Sequence, residues 1–145
     1  MEEGEVYLGG FYSRLQLTLG TFQVGAGIYA TTKRLFLSQE NFDLDLNQMI
    51  TGSARSDFKA ASLTSEQNNQ VIMQISMRTP PQLVFRKEQI SSLELKMPPG
   101  VFRTGYLRII DISGRPMKLG IGKKPEFEYV RWLLQLFKPE ALRAV

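Results

Sequence analysis

The sequence predicts a mainly β fold: a seven-stranded barrel capped by one C-terminal α-helix. Three observations carry this. Apolar and polar residues alternate at period two in run after run. The runs are short and are separated by glycine, proline and serine signals at hairpin spacing. After Gly122 the apolar period changes to 3.6, in one stretch only. With 145 residues, 43% hydrophobic and 22% charged, the chain has the balance of an ordinary globular protein. It is read as one domain over 1–145, with the barrel at about 10–122, a loop insertion at about 47–70 and the capping helix at about 125–138.

Leu15, Leu17 and Leu19 alternate with Gln16 and Thr18, and Val24, Ala26, Ile28 and Ala30 follow after the short gap Gly20-Thr21, which predicts a hairpin. Leu35 and Leu37 begin a third strand that the alternation extends through Phe42, Leu44 and Leu46, with Asp43 and Asp45 on its opposite face. Residues 47–70 are small and polar, with too little apolar material to repay ordering, and are read as a long loop. Val71, Met73, Ile75 and Met77 alternate with Gln74, Ser76 and Arg78 and predict a fourth strand, ended by Pro80-Pro81 because proline cannot donate to a ladder. Leu93, Leu95 and Met97 make a fifth, with Ile90 out of phase as a bulge would leave it. Residues 106–112 and 117–121 make the final hairpin across a turn in which Gly114 can supply positive φ.

In the predicted helix, Pro125 suits the first turn, Glu126 and Glu128 suit the positive end of the dipole, and Lys138-Pro139 mark the finish. Phe127, Val130, Leu133, Leu134 and Phe137 face one way, so the helix is read as the plug of the barrel. Tyr129, Trp132 and Leu136 flank that stripe and are the candidate contact for a protein partner or for self-association. Trp132 is expected to be partly exposed in the monomer.

Composition excludes much chemistry. The chain has no cysteine and no histidine, which removes disulfides, thiolate and imidazole metal sites, cysteine nucleophiles and histidine acid–base catalysis. No phosphate loop of the GxxxxGK[ST] type occurs, and Gly25-Ala26-Gly27 lacks the third glycine and the helix of a dinucleotide site. Asp43 and Asp45 would stand about 7 Å apart on one strand face, but spacing supplies no third ligand or acid partner. The reading is therefore not an enzyme, with no cofactor and no metal. No run approaches membrane-spanning length and the N-terminus is acidic where a secretory signal would be basic, so a soluble cytoplasmic protein is expected.

Net charge is +4, unevenly placed: residues 1–72 hold five Lys/Arg against eight Asp/Glu, and residues 73–145 hold thirteen against six. Arg103, Arg108, Arg115, Lys118, Lys123 and Lys124 are the candidate contacts for an anionic surface. Phe102-Arg103 and Tyr106-Leu107-Arg108 interleave aromatics with cations, as nucleic-acid barrels do, although aromatics on alternating strands are usually core.

Residues 27–37, Gly-Ile-Tyr-Ala-Thr-Thr-Lys-Arg-Leu-Phe-Leu, resemble the strand–turn–strand signature of the GRAM and bacterial-type PH-like (pleckstrin-homology-like) domains. Residues 90–95 are similar to a later strand of that family and residues 105–121 to its last hairpin; together the likeness covers about residues 10–138. Such families are chiefly binding platforms for lipid headgroups or proteins, so the resemblance implies a PH-like protein-interaction platform, or a weak docking domain for anionic membrane. A small-barrel nucleic-acid binder is the remaining alternative. Locally, Thr31 and Thr32 can fix the turn, and Arg34 can anchor it by donating to carbonyls or a carboxylate. One departure stands out: the first hairpin, residues 11–24, carries Arg14 as its one basic residue. A multiply charged headgroup needs several such contacts, which argues against high-affinity phosphoinositide binding by that mode.

Overall fold

The first strand, β1 (Tyr7–Leu19), belongs to both halves of the sheet. In a computed structural model that describes residues 3–19, 22–42, 63–98 and 105–145, β1 pairs along its length with β2 (Phe22–Thr31) and, near its end, with β7 (Pro116–Ile121). Ser13, Arg14 and Leu15 all stand opposite Ala26. Such a bulge bends and twists the strand, so that its end, still paired with β2 on one edge, takes β7 on the other.

β2 pairs with β3 (Arg34–Ser38), and β3 with the short β4 (Val84–Arg86). On the other side β7 pairs with β6 (Gly105–Asp111), β6 with β5 (Ile90–Lys96), and β5 with β8 (Leu142–Ala144). The order is β4-β3-β2-β1-β7-β6-β5-β8, antiparallel except for β5 with β8. The mainly β expectation holds; the closed seven-stranded barrel does not. Among the described residues the sheet has eight strands and is open, because β8 takes the edge of β5 that closure onto β4 would need. A single 3₁₀ turn, Lys87–Gln89, carries the chain from β4 round to β5. Lys138 Nζ donates to the carbonyls of both Lys87 and Ile90 at 2.7 Å, tying the end of the C-terminal helix to that corner.

The helix α2 (Lys124–Phe137) buries Phe127, Val130, Leu133, Leu134 and Phe137, the stripe its periodicity predicts. They pack on the inward phase of the strands: Leu15 and Leu17, Ile28, Leu35 and Leu37, Leu93 and Leu95, Leu107 and Ile109, Leu119 and Ile121.

The strand predicted at residues 71–77 is instead the middle of a helix, α1 (Ser65–Arg78). Its buried residues are Val71, Ile72 and Ile75, a helical spacing, while Met73 and Met77, two of the four residues that made the alternation, are exposed. Thr64 and Gln67 close a reciprocal capping box at its start, with Gln67 N to Thr64 Oγ1 at 3.1 Å and Thr64 N to Gln67 Oε1 at 3.0 Å. Residues 65–70 of the expected loop are therefore the first turns of this helix, and its residues 47–62 lie outside the described residues, as do Asp43 and Asp45. α1 covers the opposite face of β1–β3 and forms a second core with Tyr7, Tyr29, Phe36 and Phe42. β3 is consequently buried on both sides, Leu35 and Leu37 in one core and Phe36 in the other.

Among the described residues no helix is long and apolar enough to cross a membrane.

Candidate functional site

Among the described residues, neither helix core claims the outward phase of β5, β6 and β7. On β6, Gly105, Leu107 and Ile109 are buried while Tyr106, Arg108 and Ile110 are half-buried on the other side. Strand pairing turns separate polar positions into rows. Arg108 stands directly opposite Lys118 on β7 and Glu94 on β5. Leu17 pairs with Leu119, so the register carried one residue further sets Thr18 of β1 beside Lys118. Glu94, Arg108, Lys118 and Thr18 thus form one row across four strands. Tyr106 lies one row along, opposite Lys96 and Gly120.

Two cations directly opposite on one face repel, a cost that sheets ordinarily avoid. Here two neighbours reduce it. Arg108 Nη1 donates to Glu94 Oε1 at 3.1 Å. The Arg108 guanidinium lies 5.2 Å and Lys118 Nζ 4.7 Å from the centre of the Tyr106 ring, close enough for the negative π face to attract both. Lys118 has no carboxylate partner among the described residues. Beside the row a shallow groove of about 550 Å³ is lined by Thr18, Arg108, Ile110, Gly114, Pro116 and Lys118. Cations and a hydroxyl line one end; isoleucine, proline and the glycine turn line the other.

The turn that closes the groove is built by Asp111. Its Oδ1 accepts from Ser113 Oγ at 2.6 Å, Ser113 N at 2.9 Å and Arg115 N at 3.0 Å, and Gly114 takes φ of 87°. The Ser113 hydroxyl first, then the Arg115 backbone, hold the Asp111 carboxyl below its ordinary pKa.

The six predicted cationic contacts separate in space. Arg108 and Lys118 come together in the groove. Arg115 is exposed on the turn and pairs with Asp111 at 3.3 Å, lining a second, smaller depression of about 320 Å³ beside Phe85 and Ile112. Lys123 and Lys124 are exposed at the start of α2 and line neither hollow. Arg103 lies outside the described residues. Tyr106, expected as core, is half-buried on the outer face instead, because its strand phase is opposite to that of Leu107.

Of the predicted partner contacts, Tyr129 and Trp132 are half-buried and Leu136 is 50% exposed. The Tyr129 ring meets Phe11 edge-on at 4.9 Å and Trp132 at 5.2 Å. Both sit over Gly9, whose φ of 146° and missing side chain leave room for Tyr129 Oη, Trp132 and Leu133.

Arg34 is an anchor. Its Nε and Nη2 donate to the two oxygens of buried Glu5, both at 2.9 Å, and Nη2 also donates to Ser76 Oγ of α1 at 3.1 Å. Glu5 was invisible to pattern reading, since its partner is 29 residues away. Glu94 and Thr18 escaped for the same reason: each occupies the polar phase of its strand, but only register brings them to Arg108 and Lys118.

No protein-family model matches the sequence, and no curated protein matches it either.

Proposed function

We propose that the chain is a non-enzymatic binding module of PH-like architecture, and that it meets an anionic partner with the outer face of β5–β7. The strand order 4-3-2-1-7-6-5, followed along the chain by a helix on the inner face, supports the PH-like reading. Strand β8 and helix α1 stand outside that plan of seven strands and one helix. Lys118 carries the anionic part of the reading: it faces a second cation, touches an aromatic ring and has no carboxylate partner among the described residues. A non-enzymatic role is supported by the commitment of two well-placed carboxylates to structure, Glu5 to Arg34 and Asp111 to its turn. The cytoplasm is proposed as the setting, which localisation of a fluorescent fusion tests.

Binding of oligoglutamate, measured at low and high salt, tests the face. Arg108→Gln with Lys118→Glu abolishes a salt-sensitive interaction that Lys123→Glu with Lys124→Glu leaves in place. Equal losses in the two double variants would mean diffuse charge and no defined face.

A second reading, a protein partner on α2, is favoured by Leu136, half-exposed on the same helix as the half-buried Trp132. Leu136→Asp would abolish association with that partner and leave oligoglutamate binding intact.

A further inference from the structure

The groove beside Lys118 has two chemically different ends, and from them we infer its ligand class: an organic anion whose charged head, a phosphate or carboxylate, is joined to an apolar body. The inference rests on the anionic-face reading above and adds what the partner must look like.

The head end is defined by Lys118, Arg108 and Thr18. Arg108 spends one of its N–H donors on Glu94, and the others remain for an oxyanion. Tyr106 and Glu94 hold the guanidinium in place, so it is already ordered when a ligand arrives. An anion between Arg108 and Lys118 also removes the repulsion that their direct pairing creates. Thr18 adds a hydroxyl that can donate to the same head.

The body end is Ile110, Pro116 and the Gly114 turn. Ile110 is on the outer phase of β6, where a solvated strand would carry a polar residue, and Pro116 offers no amide to compete for a ligand. A purely inorganic anion would leave this half of the groove unused. A neutral amphiphile would leave the two cations unanswered.

Calorimetric titration and amide-shift mapping of the whole chain with octyl phosphate, octyl glucoside and inorganic phosphate test the assignment. Octyl phosphate binds at one saturable site and shifts Thr18, Ile110 and Lys118. The other two bind at least about ten-fold more weakly, each lacking one half of the recognised chemistry. Lys118→Gln weakens octyl phosphate by about ten-fold or more, the loss of a charge-assisted contact, with an unchanged melting temperature because Lys118 is exposed. Ile110→Thr weakens octyl phosphate and leaves inorganic phosphate alone. Equal affinity for inorganic phosphate, equal affinity for octyl glucoside, or indifference to Lys118→Gln would each overturn the inference.

Phosphatidylcholine vesicles with and without phosphatidic acid identify the source of the head group. Lys118-dependent binding that is tighter to the acidic vesicles assigns it to a lipid bilayer, and tighter binding of octyl phosphate assigns it to a free amphiphile; both uphold the ligand class. If octyl phosphate and acidic vesicles fail while oligoglutamate still binds through Lys118, this inference falls and the anionic face stands. If oligoglutamate fails as well, both fall.

Discussion

Arg34 grips Glu5 with two parallel hydrogen bonds, Nε to Oε2 and Nη2 to Oε1, and the Thr31 hydroxyl donates to Oε2 at 2.5 Å. The carboxylate has no solvent exposure and the arginine side chain 15%. Thr31 Oγ1 also accepts from the amides of Lys33 and Arg34, so the β2–β3 turn, the segment before β1 and, through Ser76, α1 meet at the Arg34–Glu5 pair. Removing the cation leaves a buried charge without its partner. Arg34→Ala is expected to cost about 3 to 5 kcal/mol in urea denaturation, and Arg34→Lys to recover only part of it, because an ammonium cannot bridge both oxygens. A loss below about 1 kcal/mol, the range of a solvated surface pair, would show that the pair is open to water.

The second core makes a graded prediction along α1. Ile72→Ala and Ile75→Ala remove fully buried side chains and are each expected to cost about 2 to 5 kcal/mol. Met77→Ala, at a site 77% exposed, should fall within about 0.5 kcal/mol. Thr64→Ala breaks the capping box and should cost about 1 kcal/mol. A strand with one buried face would make Met77 and Ile75 equally sensitive; equal losses at those two positions would reinstate it.

That contrast explains how far the sequence could be read. Alternation in β5–β7, and the 3.6 period of α2, were legible because each of these elements buries one side and leaves the other largely wet. In α1, Val71, Ile72 and Ile75 fit a helix, but Met73 and Met77 on its solvent side completed a false period of two. The legible signal was the Thr64–Gln67 cap, which lay inside a stretch read as loop. β4 and β8 are three residues each, too short to show any period. In the candidate site Arg108 and Lys118 were named from charge, whereas Glu94, Thr18 and Ile110 depend on strand register, which one sequence does not contain.

Acid should loosen the β6–β7 turn selectively. The Asp111 carboxyl has its pKa lowered in the folded chain, chiefly by the Ser113 hydroxyl and the Arg115 amide. A depressed folded pKa means that the turn's contribution is complete above the unfolded value, about 3.9, and is lost as pH falls through the folded one. Amide exchange at Ser113 and Arg115, taken relative to the intrinsic rate at each pH, should therefore rise below about pH 4 and stay flat above it. In Asp111→Asn that acid-dependent rise should disappear. An unchanged acid profile in the variant would place the titrating group elsewhere.

Gly9 decides how α2 seats on β1. A Cβ at this position would stand 3.1 Å from Tyr129 Oη, 3.5 Å from Trp132 and 3.6 Å from Leu133, on a backbone whose φ of 146° side chains rarely adopt. Tyr129 and Trp132 are thus packed over a gap that only glycine leaves, and their rings meet each other at 5.2 Å. Gly9→Ala should cost about 1 to 3 kcal/mol, the range for overpacking and backbone strain. It should also push Trp132 outward, seen as a red shift in its fluorescence and easier quenching by iodide; Trp132 is the one tryptophan in the chain, so the signal has a single source. In the parent protein iodide quenches Trp132 only partly, as its half-buried ring requires, and Trp132→Ala should cost about 2 kcal/mol, less than a fully buried aromatic would. Complete shielding in a monomer, or fluorescence untouched by Gly9→Ala, would show that the helix is seated by its buried stripe alone and that Gly9 makes no room for the two rings.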